Sequence, residues 1–454
     1  MTNIKIHLLG ASGTVTGSKF LVDAGNKKIL IDCGLFQGVK KLRELNWEHI
    51  PVKADEIDMV LLTHGHMDHT GFIPRLIQMG YRGEIRGTSP TLDIASIILM
   101  DSAKIQEEEA KKADEEGFSK HSPAKPLYTI EGAEKAISHF HSIMEGKWMD
   151  LFEGIKVRFQ YNGHIIGSVF IELDINGKIF VFSGDIGRES DFLLENPSKP
   201  QKADVLFIES TYGDRLHLKG NPKEKLKEYI LETIKKGGNV IIPTFAVERT
   251  QTLMLLLYEL REKGDIPYVS MVMDSPMASK VLQVFKDYQE WHKLNDDELN
   301  RVIKSFQIVE SFKETWEVID KKSSKIILAG SGMLGGGRVL TYLQQYLSHP
   351  ENTIVLTGYQ AEGTRGRDLI EGATELKIYG KYYPVKANVI DLELLSAHAD
   401  QEELLDWLSD IKEEPSKVFI IHGEKDASNA FKNILQEKRG WESTIPSLFD
   451  IVEV

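Results

Sequence analysis

Four side chains that commonly bind metal ions lie within six residues, directly after a predicted strand. The apolar strand Met59–Leu62 is followed by a threonine and then by the sequence HGHMDH over residues 64–69. The first two histidines are two residues apart, so in an extended chain they point to the same side. A solitary histidine on a loop is often merely solvated, but this density of ligating side chains indicates that the strand ends at a metal site.

The chain has one cysteine, Cys33, among 454 residues. One cysteine forms no intrachain disulfide, which fits a reducing cytoplasm, and it excludes metal sites built mainly from cysteine. The sequence offers 14 histidines besides its carboxylates. Any transition-metal centre is therefore expected to be made of His, Asp and Glu, which are ligands that suit zinc.

Length and charge limit the remaining possibilities. A chain of 454 residues exceeds what a single core usually accommodates, which predicts two domains. No apolar run approaches the roughly 18 residues of a membrane span, and the N-terminus lacks the charged start and apolar centre of a signal peptide. We therefore expect a cytoplasmic protein without a membrane partner. The net charge of −13 argues against a protein that coats nucleic acid by bulk positive charge.

The pattern of predicted elements changes twice along the chain. The first third alternates short strands with tight turns, and a charged helix is predicted at 101–116. From about Gly213, helices alternate with strands, which predicts a parallel sheet covered on both faces. The predicted helices there are 223–236, 248–262, 278–291 and 338–347, and the strands are 239–243, 269–273, 325–329 and 353–357. From about Ala373 the chain returns to short strands, so the simplest organisation is an α/β insert between two parts of a first domain.

Two further ligand candidates stand at turns that follow later predicted strands. His164 lies in the sequence NGHIIGS, and Asp185 lies in SGDIGR. A carboxylate at a strand end can bridge two cations, because each of its oxygens can bind one. Asn-Gly and Gly-Asp are also common turn dipeptides, so both residues gain weight only together with the cluster at 64–69.

The ordered set of motifs resembles the metallo-β-lactamase superfamily. The earlier Asp32, the HGHMDH cluster and the two later ligand candidates follow the order and context of that superfamily. Three further motifs resemble its β-CASP branch, the nucleases related to the 73-kilodalton subunit of the cleavage and polyadenylation specificity factor. They are the acidic Glu209 in ESTYG, His398 in SAHAD and His422 in IHGE. The resemblance covers essentially the whole chain.

The resemblance implies an α/β protein, with a four-layer αββα metallo-β-lactamase fold and an inserted α/β parallel-sheet β-CASP cap domain. The implied boundaries are residues 1–211 and 373–454 for the first domain and residues 212–372 for the cap. We expect the short bacterial or archaeal form of the branch, without KH domains, because no further RNA-binding domain is evident before the cluster or after Val454.

Carried over residue by residue, the resemblance implies two metal sites that share one carboxylate. One ion would be held by His64, His66, His164 and Asp185, and the other by Asp68, His69, Asp185 and His422. Asp32 would orient a ligand histidine without binding the ion itself. The implied ions are two Zn²⁺, with Mn²⁺ in one or both sites as the alternative.

The resemblance also implies a reaction, the hydrolysis of phosphodiester bonds in single-stranded RNA. Two cations roughly 3.5–4 Å apart lower the pKa of a shared water, supply hydroxide and stabilise charge on the phosphate. Asp68 would act in this centre, His398 would protonate the leaving 3′ oxygen, and Glu209 would orient His398. The products would carry a 5′-phosphate and a 3′-hydroxyl. His422 favours RNA as the substrate, because DNA-repair members of the branch have an apolar residue at this motif.

A glycine-rich segment, GSGMLG over residues 330–335, follows a predicted strand and opens a helix. This context is typical of dinucleotide binding, but the next strand ends without the acidic residue that would hold a ribose. The family interpretation is a grip on substrate phosphate by Ser331 and Gly332, and the plain alternative is a turn that needs glycine.

Other cap motifs offer three arginines as candidates for contacts with the RNA backbone. They are Arg249, Arg365 and Arg367, and each has the alternative of pairing with a carboxylate of this acidic protein. Glu248 stands where relatives commonly have glycine.

Three alternatives stay open from the sequence. A DNA nuclease of the same branch is one, and a small-molecule metallo-hydrolase, which would need neither the cap nor His398, is the second. The third is a catalytically silent RNA-processing scaffold, although such subunits typically lack metal ligands and none is missing here. The sequence does not distinguish endonuclease from 5′-to-3′ exonuclease activity, and a homodimer is one option for the assembly.

Overall fold

The computed structural model describes residues 4–116 and 124–454. The chain divides into two compact units. The first is formed by the residues up to Leu216 together with His398–Val454, and the second is formed by His217–Ala397. Strands are numbered β1 to β21 and helices α1 to α14 along the chain.

The first unit contains a seven-stranded mixed sheet. Its strands are β1 (Lys5–Leu8), β2 (Phe20–Asp23), β3 (Lys28–Ile31), β4 (Met59–Leu61), β5 (Glu84–Gly87), β6 (Phe140–Ser142) and β21 (Ile451–Glu453). They are arranged in the order β21-β1-β2-β3-β4-β5-β6. The strands from β3 to β6 run parallel, so their carboxyl ends lie at one edge.

A six-stranded sheet forms the other half of this unit. Its strands are β7 (Met149–Phe152), β8 (Ile155–Tyr161), β9 (Val169–Ile175), β10 (Lys178–Phe182), β11 (Val205–Glu209) and β20 (Lys417–Ile421). Their order is β20-β11-β10-β9-β8-β7, and β10, β11 and β20 are parallel neighbours.

The two sheets pack face to face and are covered by helices on their outer sides. The ring of Phe20 on β2 lies 6.2 Å from that of Phe182 on β10 and 6.1 Å from that of Phe207 on β11. The helices of this unit are α1 (Lys40–Glu44), α2 (Met67–Thr70), α3 (Ile73–Gln78), α4 (Ser89–Glu116), α5 (Ile130–Ile137), α13 (Gln401–Trp407) and α14 (Lys425–Arg439). Helices α3 to α5 share a buried core with the first sheet, and α13 and α14 share one with the second. The unit is thus a four-layer αββα structure, as predicted.

The second unit is built on an all-parallel sheet. Its strands are β12 (Val240–Pro243), β13 (Ser270–Asp274), β14 (Gln307–Ile308), β15 (Lys325–Ala329), β16 (Thr353–Leu356) and β19 (Asn388–Asp391). They lie in the order β14-β13-β15-β12-β16-β19. Every residue of β12, β15 and β16 is buried, which is expected when both faces of a parallel sheet are covered.

Seven helices and a hairpin complete the described part of this unit. The helices are α6 (Pro222–Lys235), α7 (Arg249–Glu262), α8 (Pro276–Asp287), α9 (Asp296–Lys304), α10 (Phe312–Asp320), α11 (Arg338–Tyr346) and α12 (Arg365–Ile370). The hairpin pairs β17 (Glu375–Ile378) with β18 (Lys381–Pro384).

The predicted fold class and the parallel-sheet insert are confirmed, and two boundaries differ from the prediction. Helix α4 begins at Ser89 instead of 101, because its first turns carry apolar side chains such as Leu92 and Leu99 into the core. Strand β19 pairs with β16, so the second unit runs to Ala397, beyond the predicted cap boundary at 372. None of the helices in the described ranges is long and apolar enough to cross a membrane.

Candidate metal centre

The candidate site residues lie at the carboxyl ends of neighbouring strands in the first unit. Asp185 follows β10, Glu209 ends β11 and His422 follows β20. In the first sheet, the parallel strands β3 and β4 end just before Asp32 and the cluster at 64–69. Parallel strands place their carboxyl ends at the same edge of a sheet, so residues far apart in the sequence meet there.

The first group of ligand candidates consists of three histidines and a carboxylate. Its members are His64, His66, His164 and Asp185. His66 Nδ1 lies 3.1 Å from His64 Nε2 and 3.3 Å from His164 Nε2. Oδ2 of Asp185 lies 3.5 Å from His64 Nε2 and 3.6 Å from His164 Nε2. These four atoms converge on one point, and together they are a donor set that suits a first-row divalent cation.

The second group shares Asp185 with the first. Its members are Asp68, His69, Asp185 and His422. His69 Nε2 lies 3.2 Å from His422 Nε2 and 3.2 Å from Oδ1 of Asp185. Oδ2 of Asp68 lies 3.4 Å from His422 Nε2. Asp185 therefore presents one oxygen to each group, which is the arrangement of a bridging carboxylate.

The shared carboxylate provides a test of whether these residues fit a metal ion. Its Oδ1 is buried and, among the described residues, no hydrogen-bond donor meets it in good geometry. Ring nitrogens of His69 and His422 lie 3.2 and 3.6 Å from it. A buried carboxylate oxygen without a well-formed hydrogen bond is costly, and a bound cation would satisfy it. Imidazole nitrogens that can each act as an acceptor also lie 3.1 to 3.3 Å apart in the two groups. A cation bound between them would explain this close approach. The residues fit divalent-metal binding.

The protonation of the first group agrees with this assignment. Burial lowers the pKa of His66 to about 4 and lowers that of His64 well below its ordinary value. Burial alone would raise the pKa of Asp185, but the nearby His422 and His69 hold it well below the usual range. Neutral imidazoles and an ionised carboxylate are the forms that bind cations. In the second group, burial opposes the charged imidazoles, but Asp185 and neighbouring carboxylates raise the pKa of His69 and of His422, so a cation bound there would replace protons.

Asp32 orients the second group from behind. Its Oδ2 lies 2.7 Å from His69 Nδ1, and its Oδ1 accepts a hydrogen bond of 2.8 Å from the backbone N–H of Thr63. The Thr63 hydroxyl also donates to Oδ2 of Asp32, at 2.9 Å. Because Nδ1 of His69 is bonded to Asp32, its Nε2 faces the second group of ligand candidates, which is the arrangement expected of a carboxylate behind a ligand histidine.

Asp32→Asn should weaken metal binding about 10- to 100-fold, because a neutral amide oxygen accepts the His69 N–H more weakly and holds the ring less firmly. The measurement is a titration of the metal-loaded protein with a chelator, followed by metal analysis. Asp174→Asn is the matched control, because Asp174 is a carboxylate of the same unit that accepts a turn N–H from Gly177 and belongs to neither ligand group. Equal metal affinity in Asp32→Asn and Asp174→Asn would contradict the role given to Asp32.

His398 and Glu209 form a pair beside the first group. His398 Nδ1 lies 3.3 Å from Oε1 of Glu209, and the His398 ring lies 4.5 Å from that of His164, between centroids. Glu209 is fully buried and its Oε1 also accepts the backbone N–H of Ile186 at 2.5 Å. Burial opposes the charged form of His398, but Glu209 outweighs it and raises the pKa of His398. The pair is suited to hold a proton at the edge of the metal centre.

The structure adds residues that the sequence argument did not assign to the site. The Asn162 amide donates to the backbone oxygens of Ser183 and Asp185, at 2.7 and 2.5 Å, and so joins the His164 turn to the Asp185 turn. The Thr211 hydroxyl lies 3.2 Å from His422 Nδ1. Asn162 stands in the motif of His164 and Thr211 in that of Glu209, but their neighbours become visible only when the strand order is known.

The candidates for RNA contacts lie in the second unit. The Ser331 hydroxyl lies 3.4 Å from the backbone of Gly336, and a Cβ on Gly332 would meet the ring of Phe245 at 2.6 Å. Arg365 donates to three backbone oxygens, Arg367 pairs with Glu371 at 2.6 Å, and Arg249 is buried at the start of α7. Their contact with RNA stays a prediction.

Three segments of the chain match known protein families. Residues 13–78 match the metallo-beta-lactamase superfamily, and residues 250–369 match the Beta-Casp domain. Residues 382–446 match the Zn-dependent metallo-hydrolase RNA specificity domain.

Curated relatives match over nearly the whole chain. Ribonuclease TTHA0252 of Thermus thermophilus is 36% identical over 95% of this chain and 96% of its own length. An RNase J-like protein of Methanocaldococcus jannaschii is 32% identical over 95% of this chain and 94% of its own length. The transcription termination factor FttA of the same organism is 30% identical over 99% of this chain and 72% of its own length. With the four-layer fold, the shared carboxylate and these matches, the chain belongs to the β-CASP branch of the metallo-β-lactamase superfamily.

Proposed function

We propose that this protein is a zinc-dependent ribonuclease that hydrolyses phosphodiester bonds of single-stranded RNA and leaves 5′-phosphate and 3′-hydroxyl ends. The observation that carries the proposal is the Asp185 carboxylate, which serves two ligand groups at once, with the His398–Glu209 pair beside it. Two relatives that match nearly end to end, named a ribonuclease and an RNase J-like protein, support RNA as the substrate.

The metal chemistry would be held by the two groups of ligands. His64, His66, His164 and Asp185 would bind one Zn²⁺, and Asp68, His69, Asp185 and His422 would bind the other. When bound, two cations supply a hydroxide nucleophile near neutral pH and stabilise the charge that develops on the phosphate. Imidazole and carboxylate ligands favour zinc, and Mn²⁺ is the next candidate because carboxylates suit it as well.

His398 would act as the acid for the leaving group. Its Nδ1 is bonded to Glu209, so Nε2 is the atom that delivers a proton to the departing 3′ oxygen. Glu209 favours the charged imidazole, and its other oxygen accepts the Thr211 N–H at 3.3 Å, which fixes the carboxylate plane. Because the Glu209 carboxylate is buried and hydrogen-bonded, it holds the His398 ring in one orientation. This orientation favours a productive geometry for proton transfer.

Cys33 supports a cytoplasmic location. The thiol is buried and forms no disulfide, and burial raises its pKa to about 12. A buried thiol of this kind stays protonated and unreactive, and it needs no oxidising compartment.

The proposal predicts metal-dependent cleavage of RNA and no cleavage of matched DNA. Single-stranded RNA and DNA of the same sequence, each labelled at the 5′ end, would be incubated with the protein in zinc, in manganese and in chelator. We expect fragments from RNA with metal, and intact RNA in chelator. Metal-loaded protein that leaves every RNA intact would refute the ribonuclease proposal. Equal cleavage of DNA would identify a less selective nuclease.

A further inference from the structure

The hairpin of β17 and β18 in the second unit has one buried face and one exposed aromatic and basic face. Leu376 and Ile378 are buried in the core of the second unit. On the other face, Lys377 stands opposite Tyr382 in the strand register, and its ammonium lies 5.5 Å from the Tyr382 ring centre. Tyr382 is 60% exposed, and Tyr379, which lies in the turn, is 58% exposed.

The charge of this segment is opposite to that of the whole protein. Residues 376–388 contain three lysines and no Asp or Glu, whereas the chain carries a net charge of −13. Of the acidic residues just before the segment, Glu371 is paired with Arg367. Glu375 stands opposite Pro384, at the end of the hairpin away from the turn. The exposed face near the turn is therefore locally positive, which favours a polyanion over an apolar or acidic partner.

One arginine fastens this hairpin to the glycine-rich loop. Arg365 Nε donates to the backbone oxygen of Lys377 at 2.7 Å. Its Nη1 lies 3.0 Å from the backbone oxygen of Leu334 and 3.2 Å from that of Gly335. A single guanidinium therefore bonds both segments, and the exposed tyrosines lie close to residues 330–337.

The order of the elements around the sheet also places the hairpin beside the loop 330–337. The loop 330–337 follows the carboxyl end of β15, and α12 begins after the carboxyl end of the parallel strand β16. The Gly366 N–H donates to the backbone oxygen of Met333 at 3.3 Å. Ligands of open parallel sheets bind at the carboxyl edge of the sheet. The hydrogen bonds of Arg365 to the hairpin and to the loop 330–337 place the hairpin turn near that edge.

We propose that the exposed surface formed by Lys377 and Tyr382 on one face of the hairpin and by Tyr379 and Lys381 at its turn, here called the hairpin platform, stacks bases of the single-stranded RNA whose backbone is held at residues 330–337. The proposal rests on the proposed ribonuclease function for its ligand. Tyrosine rings beside lysines are the usual surface for unpaired bases, because the rings stack on the bases while the lysines attract phosphates. Such stacking tolerates any base, so the platform adds affinity without sequence preference.

The test is RNA binding by the metal-loaded protein, with RNAs whose linkages resist hydrolysis so that no RNA is consumed. A fluorescent single-stranded RNA of about 20 nucleotides is longer than the usual site of one binding domain, and one of about 6 nucleotides fills only a short site. Tyr379→Ala with Tyr382→Ala should weaken binding of the longer RNA on the order of tenfold per tyrosine, with a smaller effect on the shorter RNA. Tyr382→Trp should retain affinity, because it restores a stacking ring.

Tyr268 offers a matched control within the same unit. It is 88% exposed with Arg261 over its ring at 5.1 Å, but it precedes β13 and so lies at the amino edge of the sheet. Tyr268→Ala should bind both RNAs like the unmodified protein. Circular dichroism of every variant would establish that the fold is retained.

The outcomes separate this proposal from the ribonuclease proposal. If the unmodified protein binds and cleaves RNA while the double tyrosine variant binds as well as Tyr268→Ala, the platform is refuted and the ribonuclease stands. If the tyrosine variants lose affinity as expected but metal-loaded protein cleaves no RNA, the platform stands and the ribonuclease is refuted. Absence of any RNA binding by the unmodified protein would overturn the platform outright.

Discussion

Asp185→Asn should release most of the bound metal and lower RNA cleavage by about a thousandfold or more. In the structure Oδ2 of Asp185 faces His64 and His164, while Oδ1 faces His69. An amide keeps the shape but replaces one ligand oxygen with an NH₂ group, which repels a cation, so both groups are damaged by one change. Loss of about 4 kcal/mol of transition-state stabilisation corresponds to a thousandfold in rate. Metal per chain and initial rates are the two readouts.

The control for this prediction is Asp150→Asn. Asp150 is a carboxylate of the same unit whose side chain is 81% exposed and whose partner is Lys156. It should keep full metal content and full activity. If Asp185→Asn retained both metal equivalents and cleaved RNA at the normal rate, the shared carboxylate would have no part in the centre.

His398→Ala should keep the metal and lose turnover, by on the order of 10²- to 10⁴-fold. His398 belongs to neither ligand group, and its Nδ1 is bonded to Glu209. Its removal therefore leaves the ligand atoms in place but takes away the proton for the leaving 3′ oxygen. The measurement pairs metal analysis with the cleavage rate at saturating RNA. The loss should appear in kcat, because the acid acts in the transition state and adds little to substrate binding.

Two further histidine variants serve as comparisons for His398→Ala. His422→Ala should lose metal from the second group, because His422 Nε2 lies 3.2 Å from His69 Nε2 and 3.4 Å from Asp68. His141→Ala, an exposed histidine on β6, should change neither metal content nor rate. Equal metal loss in His398→Ala and His422→Ala would overturn the division between acid and ligand.

The ligand candidates that the sequence and the family resemblance indicate come together in the structure, and their binding of metal stays a prediction. Four ligands in residues 64–69 identify a metal site without knowledge of the fold, and the order of the later motifs brings in His164, Asp185 and His422. The alternation of helices and strands likewise predicted the parallel sheet of the second unit. Both signals are local in the chain, so they can be recognised in a single sequence.

Features that depend on which strands pair in the fold were not predicted from the sequence. The bond from the Thr63 N–H to Asp32 requires β3 and β4 to be neighbours in a particular register. The pairing of β19 with β16 extends the second unit, and no local pattern indicates which strand a short segment will join. The solvent exposure of a side chain also depends on the fold, so the sequence alone did not predict a role for Tyr379 and Tyr382.

Two sequence observations acquire a physical reason in the structure. Glu248, at a position where the family resemblance leads us to expect glycine, has a φ of 66°, which lies in the left-handed region that glycine adopts without strain. Arg365, whose contact with RNA stays a prediction, donates to backbone oxygens of the glycine-rich loop and the hairpin. The positive charge of Arg365 lies near the glycine-rich loop, and its guanidinium joins that loop to the hairpin by hydrogen bonds.

The most direct test of the central proposal is the chemistry of the RNA ends, examined by mass spectrometry after cleavage in water labelled with heavy oxygen. Hydrolysis by an activated water predicts a 5′-phosphate that carries the label on the downstream fragment and a 3′-hydroxyl on the upstream fragment. A 5′-hydroxyl with a 2′,3′-cyclic phosphate would show that the RNA's own 2′ oxygen attacks, and would contradict a metal centre that supplies the nucleophile.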